Sequence, residues 1–348
     1  MQYLRNCWYV ACLSGELGQS MLARTICEQP LAFFRSTDGA PAALTDACSH
    51  RLAPLSAGCL KDGEIMCRYH GLRFGRDGRC THNPHGPATA SLAVRSWPSA
   101  ERHDLVWVWL GDPDAADPAQ IPDLSFIDTT PPHAKFTGYL ETAANFELCT
   151  DNILDLTHTD YLHPDTLGGG GLTRARGQVT TQGDTVAIRW ENPAEVAPPA
   201  LDREFIRQGE LSDTVTQVEW VAPAILRLSV DVAPLCPDNG DEIRTATMHI
   251  MTPESPMRTH YFVVSTRNFR ADDADYNAGL AAFINGIFLT DDKPMLEAQQ
   301  ARMGTADLWA CNPAMLAIDA ASVQARRVLQ RLIAAEQHQP ENADSGTK

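Results

Sequence analysis

Cys48-Ser49-His50-Arg51 and Cys67-Arg68-Tyr69-His70-Gly71, with residues 51–66 between His50 and Cys67, decide how the N-terminal part of this chain is read. Each half pairs one thiol with one imidazole. Apolar, strand-like runs lead into both: residues 40–44 ahead of Asp46, and Ile65-Met66 ahead of Cys67. Turn-prone residues follow, Arg51 to Pro54 in the first half and Gly71 in the second. The pattern predicts two short loops at the tips of hairpins, able to clamp a metal group between them.

Two thiolates on one iron and two neutral imidazoles on the other are the ligands of a Rieske [2Fe-2S] centre, and replacing anionic thiolate by imidazole raises its reduction potential. Such a centre relays single electrons. A structural zinc site uses the same donor types. Zinc spacings, however, usually put about two to four residues between paired cysteines and group the histidines at the other end. Here each half mixes the two, which favours the cluster.

At 348 residues the chain has room for two domains, each with its own core. Its 44% hydrophobic and 21% charged composition is that of an ordinary globular protein. It contains no apolar run of about 18 residues, and residues 1–10 lack signal-peptide architecture, so a cytoplasmic location and no membrane partner are expected. Cys7, Cys12, Cys27, Cys59, Cys80, Cys149, Cys236 and Cys311 are scattered and read as reduced thiols. The net charge of −16 argues against nucleic acid or an anionic membrane, both of which need a basic surface. A small anionic substrate remains compatible, since one buried arginine can bind it locally.

Short runs bounded by Gly, Asp or Pro at 31–35, 40–44, 63–67, 72–74 and 105–109 predict an all-β domain over residues 1–111. Trp107 and Trp109 in the last run are expected in its core. Residues 112–123, rich in Pro and Asp, read as a linker. Residues 124–336 form the second domain. It opens with a helix over 145–162 that Pro164 ends. The glycine run 168–171 is a loop without phosphate-binding spacing. Alternation at 185–190, 215–221, 225–232, 245–251 and 260–265 predicts an antiparallel sheet. Helices are expected over 275–302, interrupted near Pro294, and over 314–335. Residues 337–348 read as a disordered tail. The predicted class is α+β.

A second constellation lies in residues 152–163. Asp155 and His158 share one face of the predicted helix, so the carboxylate can approach the imidazole. His158 and His163 need a local bulge, or the helix end before Pro164, to align. If both bind one metal, a carboxylate from elsewhere completes a two-His, one-carboxylate facial triad, which leaves positions open for dioxygen on non-haem Fe(II). Asp291-Asp292 interrupts the apolar run 283–289 and offers that carboxylate, without local spacing choosing between the two. Either histidine alone would read as a core residue; beside a candidate redox cluster the metal reading is preferred.

With these motifs stand Arg5-Asn6-Cys7-Trp8-Tyr9-Val10-Ala11, Asn83-Pro84-His85-Gly86, Trp107-Val108-Trp109, Asp151-Asn152-Ile153-Leu154-Asp155-Leu156-Thr157-His158, Thr252-Pro253-Glu254, Arg267-Asn268-Phe269 and Asp291-Asp292-Lys293. Over nearly its whole length the chain resembles the oxygenase components of Rieske non-haem iron oxygenases, in the branch of vanillate and dicamba O-demethylases and toluenesulfonate methyl-monooxygenase. The resemblance implies a helix-grip-like second domain. It implies that Cys48 and Cys67 hold one cluster iron, His50 and His70 the other, and that His158, His163 and Asp292 hold a mononuclear iron. It further implies that Asp155 bridges a neighbouring subunit's cluster histidine to His158 in a homotrimer, with Asn152 close to the iron. Ser49 stands where relatives commonly carry Pro.

The implied activity is that of a terminal oxygenase. It takes electrons from a separate reductase or ferredoxin, uses O2, and oxidises a methoxy or methyl group of a small aromatic acid. A ring-hydroxylating dioxygenase of the phthalate type and a non-catalytic Rieske electron carrier are the alternatives. For the pocket, the resemblance points to His249, to Phe283 and to Leu228. Strand alternation over 225–232 makes Arg227 a candidate grip for a carboxylate or sulfonate.

Overall fold

The computed structural model describes residues 3–338. The chain divides into two compact units. One runs through Asp128 and includes Thr252–Ser255 and, among the described residues, 332–338; the other comprises Thr129–Met251 and Pro256–Arg331.

The first unit is built from small antiparallel sheets. Strands β1 (Trp8–Leu13), β2 (Leu22–Ile26), β3 (Gln29–Arg35), β4 (Pro41–Thr45), β5 (Cys59–Lys61), β6 (Glu64–Met66), β7 (Arg73–Phe74), β8 (Cys80–His82), β9 (Ser96–Trp97), β10 (Ser99–Arg102) and β11 (Leu105–Trp109) pair in the orders β1-β11-β10, β2-β3-β4-β9 and β5-β6-β7-β8. β11 lies between two partners and every residue in it is buried, which is why it reads as a continuous apolar run rather than an alternating one. Trp107 and Trp109 are core residues, as expected. β5 and β6 turn through Asp62-Gly63, both at positive φ, as a tight hairpin requires. Residues 112–123 carry two 3₁₀ turns, Pro113–Ala115 and Pro118–Gln120, and Trp8 Nε1 donates to the Asp117 carbonyl.

The second unit holds a seven-stranded antiparallel sheet. Its strands are β12 (Lys135–Thr142), β13 (Gln178–Gln182), β14 (Thr185–Val196), β15 (Leu211–Val221), β16 (Ile225–Pro234), β17 (Ile243–Ser255) and β18 (Arg258–Arg267), in the order β12-β18-β17-β16-β15-β14-β13. The sequence reading misses β12 and β13. Both are edge strands, and β13, Gln-Val-Thr-Thr-Gln, carries no apolar alternation to detect.

The helix predicted over 145–162 is not continuous. Asn145 caps it by accepting from Glu147 N–H, it runs Phe146–Leu154, and Asp155 leaves helical geometry at φ −120°, ψ 85°. A 3₁₀ turn, Leu156–His158, and a short helix, Thr159–Leu162, follow. Towards the C-terminus, helix Ala274–Ile287 passes through a π-helical segment, Phe288–Asp292, into helix Lys293–Met303. The interruption expected near Pro294 is this π turn, which accommodates a proline unable to donate to the preceding turn. The last helix is Ala320–Gln337. It takes in Gln337, the first residue of the expected tail; residues 339–348 of that tail lie outside the described residues.

Candidate metal centres and substrate cavity

In the first unit the two ligand loops are one turn built twice. Cys48 N–H donates to Ala53 O at 2.9 Å and Leu52 N–H to Cys48 O at 2.8 Å; Cys67 N–H donates to Leu72 O at 2.8 Å and Gly71 N–H to Cys67 O at 2.9 Å. The residue four after each cysteine is left-handed, Leu52 at φ 57° and Gly71 at φ 78°. Glycine adopts that φ freely, whereas leucine adopts it at a cost. The second loop joins the paired strands β6 and β7, as predicted. The first does not: it links β4 to β5, which belong to different sheets. Asp46 closes its base by accepting from Ser56 N–H at 2.7 Å and Ser56 Oγ at 2.6 Å. Ser49 Oγ donates to Leu92 O at 2.6 Å, a hydrogen bond that ties the loop to residue 92.

Cys48 and Cys67 are both 2% exposed. Burial raises the Cys48 thiol pKa, and the neighbouring Cys67 sulfur raises it further. The His50 and His70 rings lie 4.5 Å apart, centroid to centroid, and His50 is exposed. Two buried thiols with a nearby imidazole pair fit a cluster with one sulfur-ligated and one nitrogen-ligated iron.

In the second unit, His158, His163 and Asp292 bring one ligand atom each within 4.8 Å of one another. Asp292 carboxylate oxygens stand 3.4 Å from His158 Nε2 and 3.2 Å from His163 Nε2. Each ring's other nitrogen is engaged. His158 Nδ1 donates to the main-chain carbonyl of Asp155 at 2.5 Å, and His163 Nδ1 donates to Asp291 Oδ2 at 3.1 Å. Both imidazoles are thereby oriented with Nε2 towards Asp292, the outer-shell arrangement of metal-binding histidine. The contact expected between the Asp155 carboxylate and His158 is therefore corrected. The helix break at Asp155 turns its carbonyl to the ring, while its carboxylate caps the next turn by accepting from Thr157 N–H at 3.1 Å and Thr157 Oγ1 at 2.6 Å.

Burial opposes ionisation of Asp292, but hydrogen bonds from His158 and His163 outweigh it and bring the carboxyl to about 2. It is an anion at neutral pH, as a ligand must be. Asn152 Nδ2 lies 3.3 Å from Asp292 Oδ1, and Asn152 Oδ1 is buried without a partner among the described residues. A carboxylate, two oriented imidazoles and an orphaned amide oxygen suit a divalent metal with open positions.

The triad forms part of the wall of a cavity of about 210 Å³. The sheet supplies one wall through matched positions on successive strands: Phe136 opposite Ser265, Thr247 opposite Leu228, Thr245 opposite Val230, and Val230 opposite Thr216. Leu280, Ile284 and Phe288 supply another, at four-residue steps that lead on to Asp292. That spacing is the signal by which the sequence could have revealed the wall. Leu228 lines the cavity, as does His249. Two pocket expectations are corrected. Arg227, one residue out of phase with Leu228, is exposed on the opposite face of a central strand. Phe283 does not line the cavity; its ring lies under the Arg203 guanidinium at 5.0 Å.

His249 is 2% exposed. Burial lowers its pKa to about 4, so it is neutral at pH 7. Its Nδ1 stands 2.9 Å from the Tyr261 hydroxyl, and its Nε2 has no partner among the described residues. The buried Tyr261 hydroxyl satisfies its proton by donating to Nδ1, which assigns the ring proton to Nε2. Sequence reasoning missed Tyr261, and it had Asp291 only as an alternative metal carboxylate rather than as the partner of His163 Nδ1.

Residues 7–98 match the Rieske [2Fe-2S] domain family, and residues 142–335 match the vanillate O-demethylase oxygenase C-terminal domain family. The chain is 36% identical over 335 residues to the oxygenase component of dicamba O-demethylase from Stenotrophomonas maltophilia, covering 95% of this chain and 98% of that one. It is 34% identical over 339 residues to the oxygenase component of chloroacetanilide N-alkylformylase from Rhizorhabdus wittichii, covering 96% and 97%. The crystal structure of dicamba monooxygenase bound to 3,6-dichlorosalicylic acid superposes with a TM-score of 0.89 at 35% identity, covering 97% of this chain and all of that one. These features define an oxygenase component with a Rieske cluster and a non-haem iron site. The chain belongs to the Rieske non-haem iron oxygenases, in the branch of the vanillate and dicamba O-demethylases.

Proposed function

We propose that this chain is the terminal oxygenase of a multicomponent monooxygenase that oxidises a methoxy or methyl group on a small aromatic substrate. The observation that carries the reading is the cavity itself, largely apolar and walled at one side by His158, His163 and Asp292. The iron, when bound, supplies dioxygen chemistry at positions the protein leaves open. For a methoxyarene the balance is ArOCH3 + O2 + 2e⁻ + 2H⁺ → ArOCH2OH + H2O, and the hemiacetal then loses formaldehyde to give the phenol.

On this reading Cys48, Cys67, His50 and His70 hold the cluster, and His158, His163 and Asp292 hold the iron. Asn152 completes the iron's surroundings. Asp155 bridges to a cluster histidine of the next subunit in a homotrimer, its carbonyl already committed to His158. Electrons come from a separate reductase or ferredoxin in the cytoplasm. Residues 1–111 and 124–336 are the electron-entry and catalytic domains, joined by 112–123. An aromatic acid is the substrate type the resemblance implies, with His249 the donor that meets its oxygen.

The test is reconstitution of the system from the iron-loaded protein, a compatible reductase, NADH, ¹⁸O2 and a panel of methoxy- and methylarenes. Formaldehyde or benzylic alcohol with one labelled oxygen supports the reading. A cis-diol carrying two labelled oxygens would replace it with ring dihydroxylation.

A further inference from the structure

The cavity runs well beyond the metal residues, and its far end is polar. Tyr276, Leu280, Ile284 and Phe288 line it at four-residue steps, a helical stripe of about 18 Å whose last member stands one turn before Asp292. His249, Thr247 and Thr245 line it at two-residue steps along β17, which puts Thr245 about 13 Å along the strand from His249. Antiparallel register carries Thr245 across Val230 to Thr216, so two threonines flank one valine in a single row. Thr214 lies two residues further from the His249 end on β15. Thr214 and Thr216 are each 6% exposed. Among the described residues, neither their hydroxyls nor that of Thr245 has a protein partner. Their polar neighbours are engaged: Thr247 pairs with Ser265 at 2.9 Å, Tyr276 donates to Glu204 at 2.8 Å, and Asn192 donates to the Gly171 carbonyl at 2.9 Å.

We propose that this far end is a subsite for a substrate tail: the arene carries, opposite the group that is oxidised, a short chain ending in a hydroxyl or similar hydrogen-bonding oxygen, which Thr216 and Thr245 hold. The reason is geometric. A ring whose methoxy or methyl group faces His158, His163 and Asp292 packs beside Phe288 and Leu228 and covers only part of the length. An apolar cavity of about 150 Å³ already takes benzene, so one of about 210 Å³ has room beyond a bare ring. A chain laid along Leu280 and Val230 buries its methylenes against them. Its terminal oxygen then meets hydroxyls that are buried and otherwise unpaired. Thr216, Thr245 and Val230 are thereby the residues that set substrate length.

This inference rests on the cavity being the substrate site of the proposed oxygenase and concerns the part of the substrate that does not react. The test is isothermal titration of the metal-loaded protein with 3-(4-methoxyphenyl)propan-1-ol and 4-methoxybenzyl alcohol, which share every functional group and differ by two methylenes. The longer alcohol is expected to bind at least about tenfold more tightly. Thr216→Val and Thr245→Val should each weaken it roughly 2- to 10-fold and leave the shorter one unchanged. Val230→Phe, which fills the far end, should remove the advantage of the longer probe; the two valine variants carry the test if it does not fold. Equal or tighter binding of the shorter alcohol, saturable binding of neither, or valine variants that leave the longer probe's affinity unchanged overturns the inference. Formaldehyde assays on the same probes separate it from the proposed activity. Selective binding of the longer alcohol without oxidation of either probe sinks the monooxygenase reading alone, and preferential demethylation of the shorter one sinks the tail subsite alone.

Discussion

His163 Nδ1 stands 3.1 Å from Asp291 Oδ2. The next residue, Asp292, meets the other nitrogen of the same ring, so two consecutive carboxylates straddle one imidazole. They do so from the π-helical segment Phe288–Asp292. Asp291 thus holds the tautomer and direction of the His163 ring, and through it would act on a metal held by that histidine. Asp291→Ala should lower iron affinity roughly 10–100-fold, and Asp291→Asn, which keeps an acceptor oxygen, should recover part of it. Iron per chain after dialysis against a graded chelator, with cluster absorbance as the internal reference, checks this. An unchanged iron affinity in Asp291→Ala would reduce the contact to a surface ion pair.

His158→Ala should abolish turnover while leaving the visible spectrum of the cluster intact. The cluster loops draw on residues 46–56 and 67–72, the triad on 158, 163 and 292, and no residue serves both. Loss of the cluster spectrum in this variant would count against two separate centres.

Arg326 predicts a stability effect at a distance from either metal. Its side chain is 4% exposed and holds Asp151 through Nε and Nη2, at 3.1 and 2.7 Å, and Glu147 through Nη1 at 3.1 Å. Both acids lie on helix Phe146–Leu154, which also carries Asn152. Burial raises the carboxyl pKa of both, and the arginine charge opposes that rise. Arg326→Ala leaves the two acids buried without their cation and should cost about 3 kcal/mol, read as a lowered urea midpoint. Adding Asp151→Asn should restore part of the loss. Additive effects would mean that the pair is not coupled.

Legibility in the sequence followed local pattern. The loops at Cys48 and Cys67 are local, each complete within a few residues, and their candidate ligands stand side by side in the sequence. β11 and the central strands of the large sheet were legible because burial makes their apolar runs continuous or alternating. The edge strands β12 and β13 were not, since an edge needs no such pattern. The helix containing Asp155 looked unbroken because its apolar spacing persists across the break. What stops it is a backbone turn that offers the Asp155 carbonyl to His158, and composition does not record a carbonyl's direction. Arg227 and Phe283 each lie one position away from a residue that does line the cavity, Leu228 and Ile284: one step along a strand reverses the face, and one step along a helix turns the side chain by about 100°.

His249 should impose an acid limit on stability. Its pKa is about 4 in the folded protein, against 6.5 for an unperturbed imidazole, because burial disfavours the charged ring. Between these values the unfolded chain binds more protons than the folded one, so stability rises with pH there. The contribution is complete above pH 6.5, is lost as pH falls towards 4, and levels off below. Over that window it amounts to something on the order of 3 kcal/mol. His163 acts in the opposite sense: burial lowers its pKa, but Asp292 and Asp291 raise it by more. That effect is common to wild type and to His249→Gln, which retains a polar partner for Tyr261, and it cancels in their difference. Urea midpoints of the two proteins between pH 4 and 7 should therefore diverge, with the wild type losing stability faster on acidification. A difference that stays flat across the window would mean that His249 is solvated, and that its Nε2 proton is not held for a ligand.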